Sequence, residues 1–149
     1  MTQEDIETFF EFMQDKEQQW QAAFVAKDPS DHDAHLAHWV KMLSNPEIIN
    51  RTVVVDEVVV GSVGSWVMDG VRQVTYWIGA EHCGKGYATQ ALIKLLQLIS
   101  ERPVEGRCAF DNYASARVLE KAGFSRIGTD KYFANARGEE ISELIFQLT

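Results

Sequence analysis

The chain is poor in cysteine, proline, positive charge and long apolar runs, and each shortage excludes something. Two cysteines, Cys83 and Cys108, are too few for a disulfide framework and fit a reducing compartment. No apolar run approaches the roughly 20 residues that span a bilayer. The first residues, Met1-Thr2-Gln3-Glu4-Asp5, are acidic and lack the basic and apolar regions of a signal peptide. A cytoplasmic location without a membrane partner is therefore expected. Fourteen basic against 22 acidic residues give a net charge of −8, which disfavours nucleic acid as a partner and mildly favours cationic ones. Repeats, low-complexity tracts and linkers are absent, so one domain over residues 1–149 is expected.

The elements that are present read as an α+β chain. Ile6, Phe9, Phe10, Met13, Trp20 and Phe24 fall broadly on one face of a helix predicted over residues 4–27. Asp28-Pro29-Ser30 breaks it, and Ser30 or Asp31 can cap a second helix that ends at Asn45-Pro46. Thr52-Val53-Val54-Val55, Asp56-Glu57 and Val58-Val59-Val60 read as a tight hairpin whose second strand runs to Val67. A turn at Met68-Asp69-Gly70 returns the chain as a strand from Arg72 to Ile78. A helix from Tyr87 stops before Pro103, and a strand follows over Val104–Phe110. Asn112 caps a helix ended by Gly123, Phe124–Ile127 forms a short strand, and Ile141–Leu148 alternates like a half-buried strand.

The most informative stretch is Trp77-Ile78-Gly79-Ala80-Glu81-His82-Cys83-Gly84-Lys85-Gly86-Tyr87-Ala88-Thr89. A strand enters a glycine turn and a helix leaves it. Glycines flanking Lys85 let consecutive N–H groups face outward, and the helix dipole aims its positive end at the same place. Such a turn suits a phosphate or diphosphate. The dinucleotide fingerprint G-x-G-x-x-G fails because Thr89 stands where its third glycine belongs. A Walker P-loop fits from Gly79 to Lys85 but needs a Ser or Thr where Gly86 stands.

A third template fits best. Cys83-Gly84-Lys85-Gly86-Tyr87-Ala88 resembles the acyl-CoA diphosphate motif Q/R-x-x-G-x-G/A of the GNAT N-acetyltransferase superfamily. Asn112-Tyr113-Ala114-Ser115-Ala116-Arg117-Val118-Leu119-Glu120-Lys121-Ala122-Gly123-Phe124 is similar to the N-x-x-S-x-x-V-L-E-K-x-G-F signature of its branch of ribosomal-protein N-terminal (Rim-type) acetyltransferases. Tyr76-Trp77-Ile78-Gly79 also resembles that branch.

The resemblance implies a mixed, mostly antiparallel sheet with helices on both faces and a V-shaped cofactor cleft. It implies transfer of an acetyl group from acetyl-CoA to a primary amine by direct attack on the thioester. In that reading the backbone of Gly84, Lys85, Gly86, Tyr87 and Ala88, with Thr89, holds the diphosphate of coenzyme A. The pantetheine arm pairs with the free edge at Trp77, Ile78 and Gly79. Asn112 bonds the pantetheine and Arg117 reaches the 3′-phosphate. Cys83 stands where Gln or Arg is usual, and its place beside a helix N-terminus could lower its thiol pKa. Without a base nearby it reads as a filler residue.

Many superfamily members place a tyrosine acid where Leu119 stands, so Ser115 is the candidate acid for the leaving thiolate. The base is open among His38, Asp69, Glu140 and Glu143. His32, His35 and His38 do not stack at i and i+4, so no metal site is expected. Trp20, Trp39 and Trp66 read as core or acceptor-pocket wall. A protein N-terminus, an amino acid, a polyamine and an amino sugar are the candidate acceptors, and a homodimer through the final strand is possible in principle. Leu119 also leaves room for a noncatalytic acyl-CoA-binding regulatory domain.

Overall fold

The computed structural model describes all 149 residues. Three helices come first: α1 (Gln3–Phe12), α2 (Lys16–Ala22) and α3 (His32–Leu43). Hairpin strands β1 (Ile49–Val55), β2 (Val58–Met68) and β3 (Val71–Ile78) follow. Then come α4 (Tyr87–Gln97), β4 (Val104–Ala109), α5 (Tyr113–Lys121), β5 (Ser125–Ala134) and β6 (Glu139–Leu148). The six strands form one sheet in the order β1-β2-β3-β4-β6-β5, antiparallel except for β3 against β4. No helix is long and apolar enough to cross a membrane.

Turn chemistry fixes the meander. Asp56 and Glu57 have φ of 50° and 67°, and Asp69 and Gly70 have 51° and 78°. Two positive φ values in a row give the turn whose twist matches paired antiparallel strands. Helices α4 and α5 cover one face of the sheet, where Leu92, Leu95, Leu119, Val104 and Phe146 close the main core. Helices α1 and α3 lie on the other face, where Ile6, Phe9 and Trp39 form a separate cluster. The expected two-sided α+β arrangement is therefore the one observed.

Two expected elements differ. The predicted helix over residues 4–27 is two helices, because Asp15 caps α2 by accepting from Gln18 N at 2.9 Å. Gln14 Nε2 closes the end of α1 through Phe10 O and Pro29 O at 3.0 and 2.9 Å. Of the two possible caps for α3, Asp31 is the one used. The short strand expected at Phe124–Ile127 is instead the ten-residue β5, an exposed edge strand without an alternating apolar face.

The feature that positions the site is the meeting of β3 and β4. They pair only at Arg72↔Val104, Gln73↔Glu105 and Val74↔Gly106. Beyond Val74 the strands splay, as the V-shaped cleft requires. Gly106 sits at the split because Leu119 leaves no space there: a Cβ would lie 2.4 Å from its Cδ2.

Candidate functional site

Helix α4 follows β3 and α5 follows β4, so both helix N-termini open toward the splayed carboxyl ends of the parallel pair. Gly84 and Gly86 both have φ of +80°, and Gly86 is the left-handed N-cap of α4 with no side-chain cap. The N–H groups of Gly84, Lys85, Gly86, Tyr87, Ala88 and Thr89 donate to no protein acceptor. Six adjacent donors at a helix N-terminus fit a diphosphate, whose oxygens accept from backbone N–H groups. Cys83 is not activated: burial raises its thiol pKa, with Gln18 acting in the opposite sense.

The free edge of β3 is shorter than expected. Gly79 N donates to Val60 O at 2.8 Å, so by strand alternation Thr75, Trp77 and Gly79 turn their backbone groups toward β2. Val74, Tyr76 and Ile78 turn theirs toward the cleft. The Ile78 carbonyl, expected to be free, accepts from Gln18 Nε2 at 2.7 Å. Nothing in the sequence around Gln18 signals this contact across 60 positions.

Asn112 is the N-cap of α5, its side chain accepting from Ser115 N at 3.2 Å. Ser115 meets a partner from the opposite arm of the V. Tyr76 Oη lies 2.7 Å from Ser115 Oγ and 3.0 Å from Ser115 O. Cys108, on β4, lines the same space, and burial pushes its thiol up to about 11. Arg117 is exposed on α5 and makes no ion pair, two residues from Ser115 and so nearly opposite around the helix. Leu119 is fully buried against Gly106, which accounts for an aliphatic residue at this position.

A cavity of about 770 Å³ passes through the split from Asn112, Ser115 and Cys108 to helices α1 and α3. Of the four candidate bases, His38 and Glu143 line it, while Asp69 and Glu140 do not. Burial lowers the His38 pKa, helped by His35 and Lys41. Burial raises the Glu143 pKa against the pull of Arg107, whose Nη1 lies 3.3 Å from its carboxylate. Glu105 and Asp130 hold the same guanidinium at 3.8 and 3.9 Å. Trp77 Nε1 and Arg107 Nε are buried without a partner, one on each arm of the V.

Trp39 and Trp66 line the cavity, whereas Trp20 is 54 % exposed beneath the Arg137 guanidinium, 4.5 Å away. The three histidines of α3 have separate surroundings: His32 pairs with Glu7, His35 bonds Ile6 O, and His38 faces the cavity. Tyr76 and Arg107 were missed as site residues from sequence, and Trp77, named for its backbone on the cofactor edge, was missed as a side chain of the cavity wall. Period-two alternation alone would have placed Tyr76 on the α5 side with Val74.

Solved structures share this split-sheet fold. A probable acetyltransferase is 23 % identical, with a TM-score of 0.82 over 99 % of this chain and 89 % of that one. RimL, a ribosomal L7/L12 α-N-protein acetyltransferase in complex with coenzyme A, is 15 % identical, with a TM-score of 0.83 over 99 % of this chain and 90 % of that one. An uncharacterised N-acetyltransferase, p20, of Bacillus licheniformis is 27 % identical over 97 residues, which are 60 % of this chain. That match spans about half of the relative's length (54 %). The acetyltransferase (GNAT) domain model matches residues 1–125, and the chain belongs to that family.

Proposed function

We propose that this protein is an N-acetyltransferase that moves an acetyl group from acetyl-CoA to a primary amine by direct attack on the thioester. The observation that carries this reading is the row of unpartnered N–H groups from Gly84 to Thr89 at the N-terminus of α4, just past the carboxyl end of β3 where the sheet splits. These groups hold the diphosphate, Tyr76 offers its cleft-facing backbone to the pantetheine, and Arg117 serves the 3′-phosphate. Asn112, whose oxygen is spent on the cap, has its Nδ2 to give. Bound there, acetyl-CoA supplies an acetyl group already activated as a thioester. Ser115, beside Cys108 in the split, meets the charge that develops on sulfur.

The acceptor side narrows the choice of amine. Phe9, Phe12, Trp39, Trp66 and Trp77 wall it, and Arg107, 21 % exposed on the same lining, offers N–H donors to an oxygen acceptor. A polyamine has no such oxygen and little apolar body. An amino sugar would bury many hydroxyls against aromatic walls without partners. A primary amine with a neighbouring carbonyl and an apolar side chain suits the cavity, as in an amino acid derivative or a peptide N-terminus.

Calorimetry with acetyl-CoA, together with thiol release across aminoacyl amides, spermidine and glucosamine, tests this. The expected result is binding, with turnover fastest on apolar aminoacyl amides. Binding without turnover on any amine would make the protein a noncatalytic acyl-CoA-binding module. No binding at millimolar concentration would remove the cofactor assignment itself.

Glu143 is the base in this scheme, since its raised pKa and cavity position suit proton abstraction from an ammonium. Because the carboxylate is the active form, kcat/KM should rise as pH passes a value above the ordinary carboxylate range. Glu143→Gln should lower kcat by roughly 100-fold and erase that acid limb. An unchanged pH profile in Glu143→Gln would transfer the role to His38.

A further inference from the structure

The Tyr76–Ser115 contact has more acceptors than protons to fill them. Tyr76 Oη has one proton and two neighbours on Ser115: the carbonyl at 3.0 Å and Oγ at 2.7 Å. A carbonyl only accepts, so two arrangements are possible with no movement of heavy atoms. In the first, Tyr76 donates to the carbonyl and Ser115 must donate its own proton back to Tyr76 Oη. The Ser115 proton is then turned away from the cavity. In the second, Tyr76 donates to Ser115 Oγ, and the Ser115 proton is released to the cavity that Ser115 lines.

Building on the acetyl-transfer reading, we propose that Tyr76 is the positioning residue that switches Ser115 between these two arrangements and so aims its hydroxyl at the departing sulfur. As the amine nitrogen bonds to the acetyl carbon, the C–S bond breaks and its electron pair passes to sulfur. The surplus proton of the amine goes to Glu143. Ser115 O–H meets the charge on sulfur while Tyr76 O–H holds Ser115 Oγ. Neither hydroxyl is consumed, and the proton that finally neutralises the thiolate comes from solvent.

The surroundings of Tyr76 fit a donor that never ionises. Its ring is held among apolar residues of the main core, and burial raises its phenol pKa, with the Ser115 bond opposing. A thiol ionises near 8.5. Tyr76 is thus too weak an acid to give its proton away to a thiolate, and it acts by holding and aiming Ser115. Its hydroxyl reaches from β3 to α5, so the switch spans the split. No other side chain hydrogen-bonds Ser115 Oγ, although the Cys108 thiol lies nearby in the same cavity.

Tyr76→Phe keeps the ring and removes the hydroxyl. With acetyl-CoA and the best amine of the panel, kcat should fall at least about 10-fold while KM for acetyl-CoA stays within about twofold, since only a charge-stabilising donor is lost. Ser115→Ala should give a similar loss, and the double variant should be no worse than the worse single one. Additive losses, or wild-type kcat in Tyr76→Phe, would overturn the switch while leaving the acetyltransferase reading in place. A wild-type protein with no turnover on any amine would remove both.

A measurement on the wild-type protein covers a variant that fails to fold. With 13C at Tyr76 Cζ, coenzyme A should move the resonance as the hydroxyl changes partner. An unmoved resonance in protein shown by calorimetry to be saturated would overturn the switch.

Discussion

Gly86→Glu is expected to weaken coenzyme A binding at least about 100-fold, a loss of some 2.7 kcal/mol or more. Two effects act together. Gly86 has φ of +80° and ψ of 9°, where a residue with a Cβ pays roughly 1–2 kcal/mol. The added carboxylate would also stand inside the row of N–H donors from Gly84 to Thr89, repelling a diphosphate and competing for its partners. Space is not the obstacle, because only Gln90 Nε2, 3.8 Å away, lies near the new Cβ. Gly138→Glu supplies the control. It carries the same kind of strain at φ +67° in open space, in the turn between β5 and β6. Calorimetry should find its affinity unchanged. Equal affinities in wild type and Gly86→Glu would show that the diphosphate is held elsewhere.

Asp111→Ala is expected to be the most damaging substitution outside the core. Arg137 donates through Nη1 and Nη2 to both Asp111 oxygens at 3.0 and 2.9 Å, and its Nε donates to Trp20 O at 2.7 Å. The Arg137 side chain is only 5 % exposed. Removing its partner leaves a buried charge uncompensated, which costs about 3 kcal/mol or more. For a chain of this length that is roughly a 10 °C fall in the melting temperature. Thermal unfolding at neutral pH reads the effect, and a fall of less than 2 °C would rule out the strain on Arg137.

The pair also has a pH signature. The Arg137 bond lowers the Asp111 pKa below its ordinary value. A depressed carboxylate stabilises the fold above its unfolded pKa, and that contribution is lost as pH falls through the folded one. The melting temperatures of wild type and Asp111→Ala should therefore converge in acid.

What the sequence made legible was mostly local. The Asp56-Glu57 and Asp69-Gly70 turns, the Asn112 cap and the Gly84–Gly86 turn depend on residues within four positions of one another. Their chemistry can be read wherever it occurs. The break between α1 and α2 was hidden because the apolar spacing carries on through Asp15, and a cap residue inside a helical pattern looks like any carboxylate facing solvent. Strand β5 was underestimated because an edge strand with both faces exposed lacks the period-two signal. The site was legible on the cofactor side, where one turn supplies the donors. The acceptor side joins Trp77, Arg107, Tyr132 and Glu143 from four strands, and no spacing in one dimension announces that meeting. Gln18, which bonds Ile78 from 60 positions away, is the same problem in its purest form.

The brevity of the β3–β4 ladder has a consequence for how such a protein diversifies. Past Val74 and Gly106 the two strands share no rungs with each other while each stays paired to its other neighbour, so the side chains that touch an incoming amine can change without breaking a β3–β4 hydrogen bond. Exchanging them trades one wall for another at little cost to folding. The lower part of the split, closed by three residue pairs, keeps the scaffold intact while the upper part is free to acquire a taste for different acceptors.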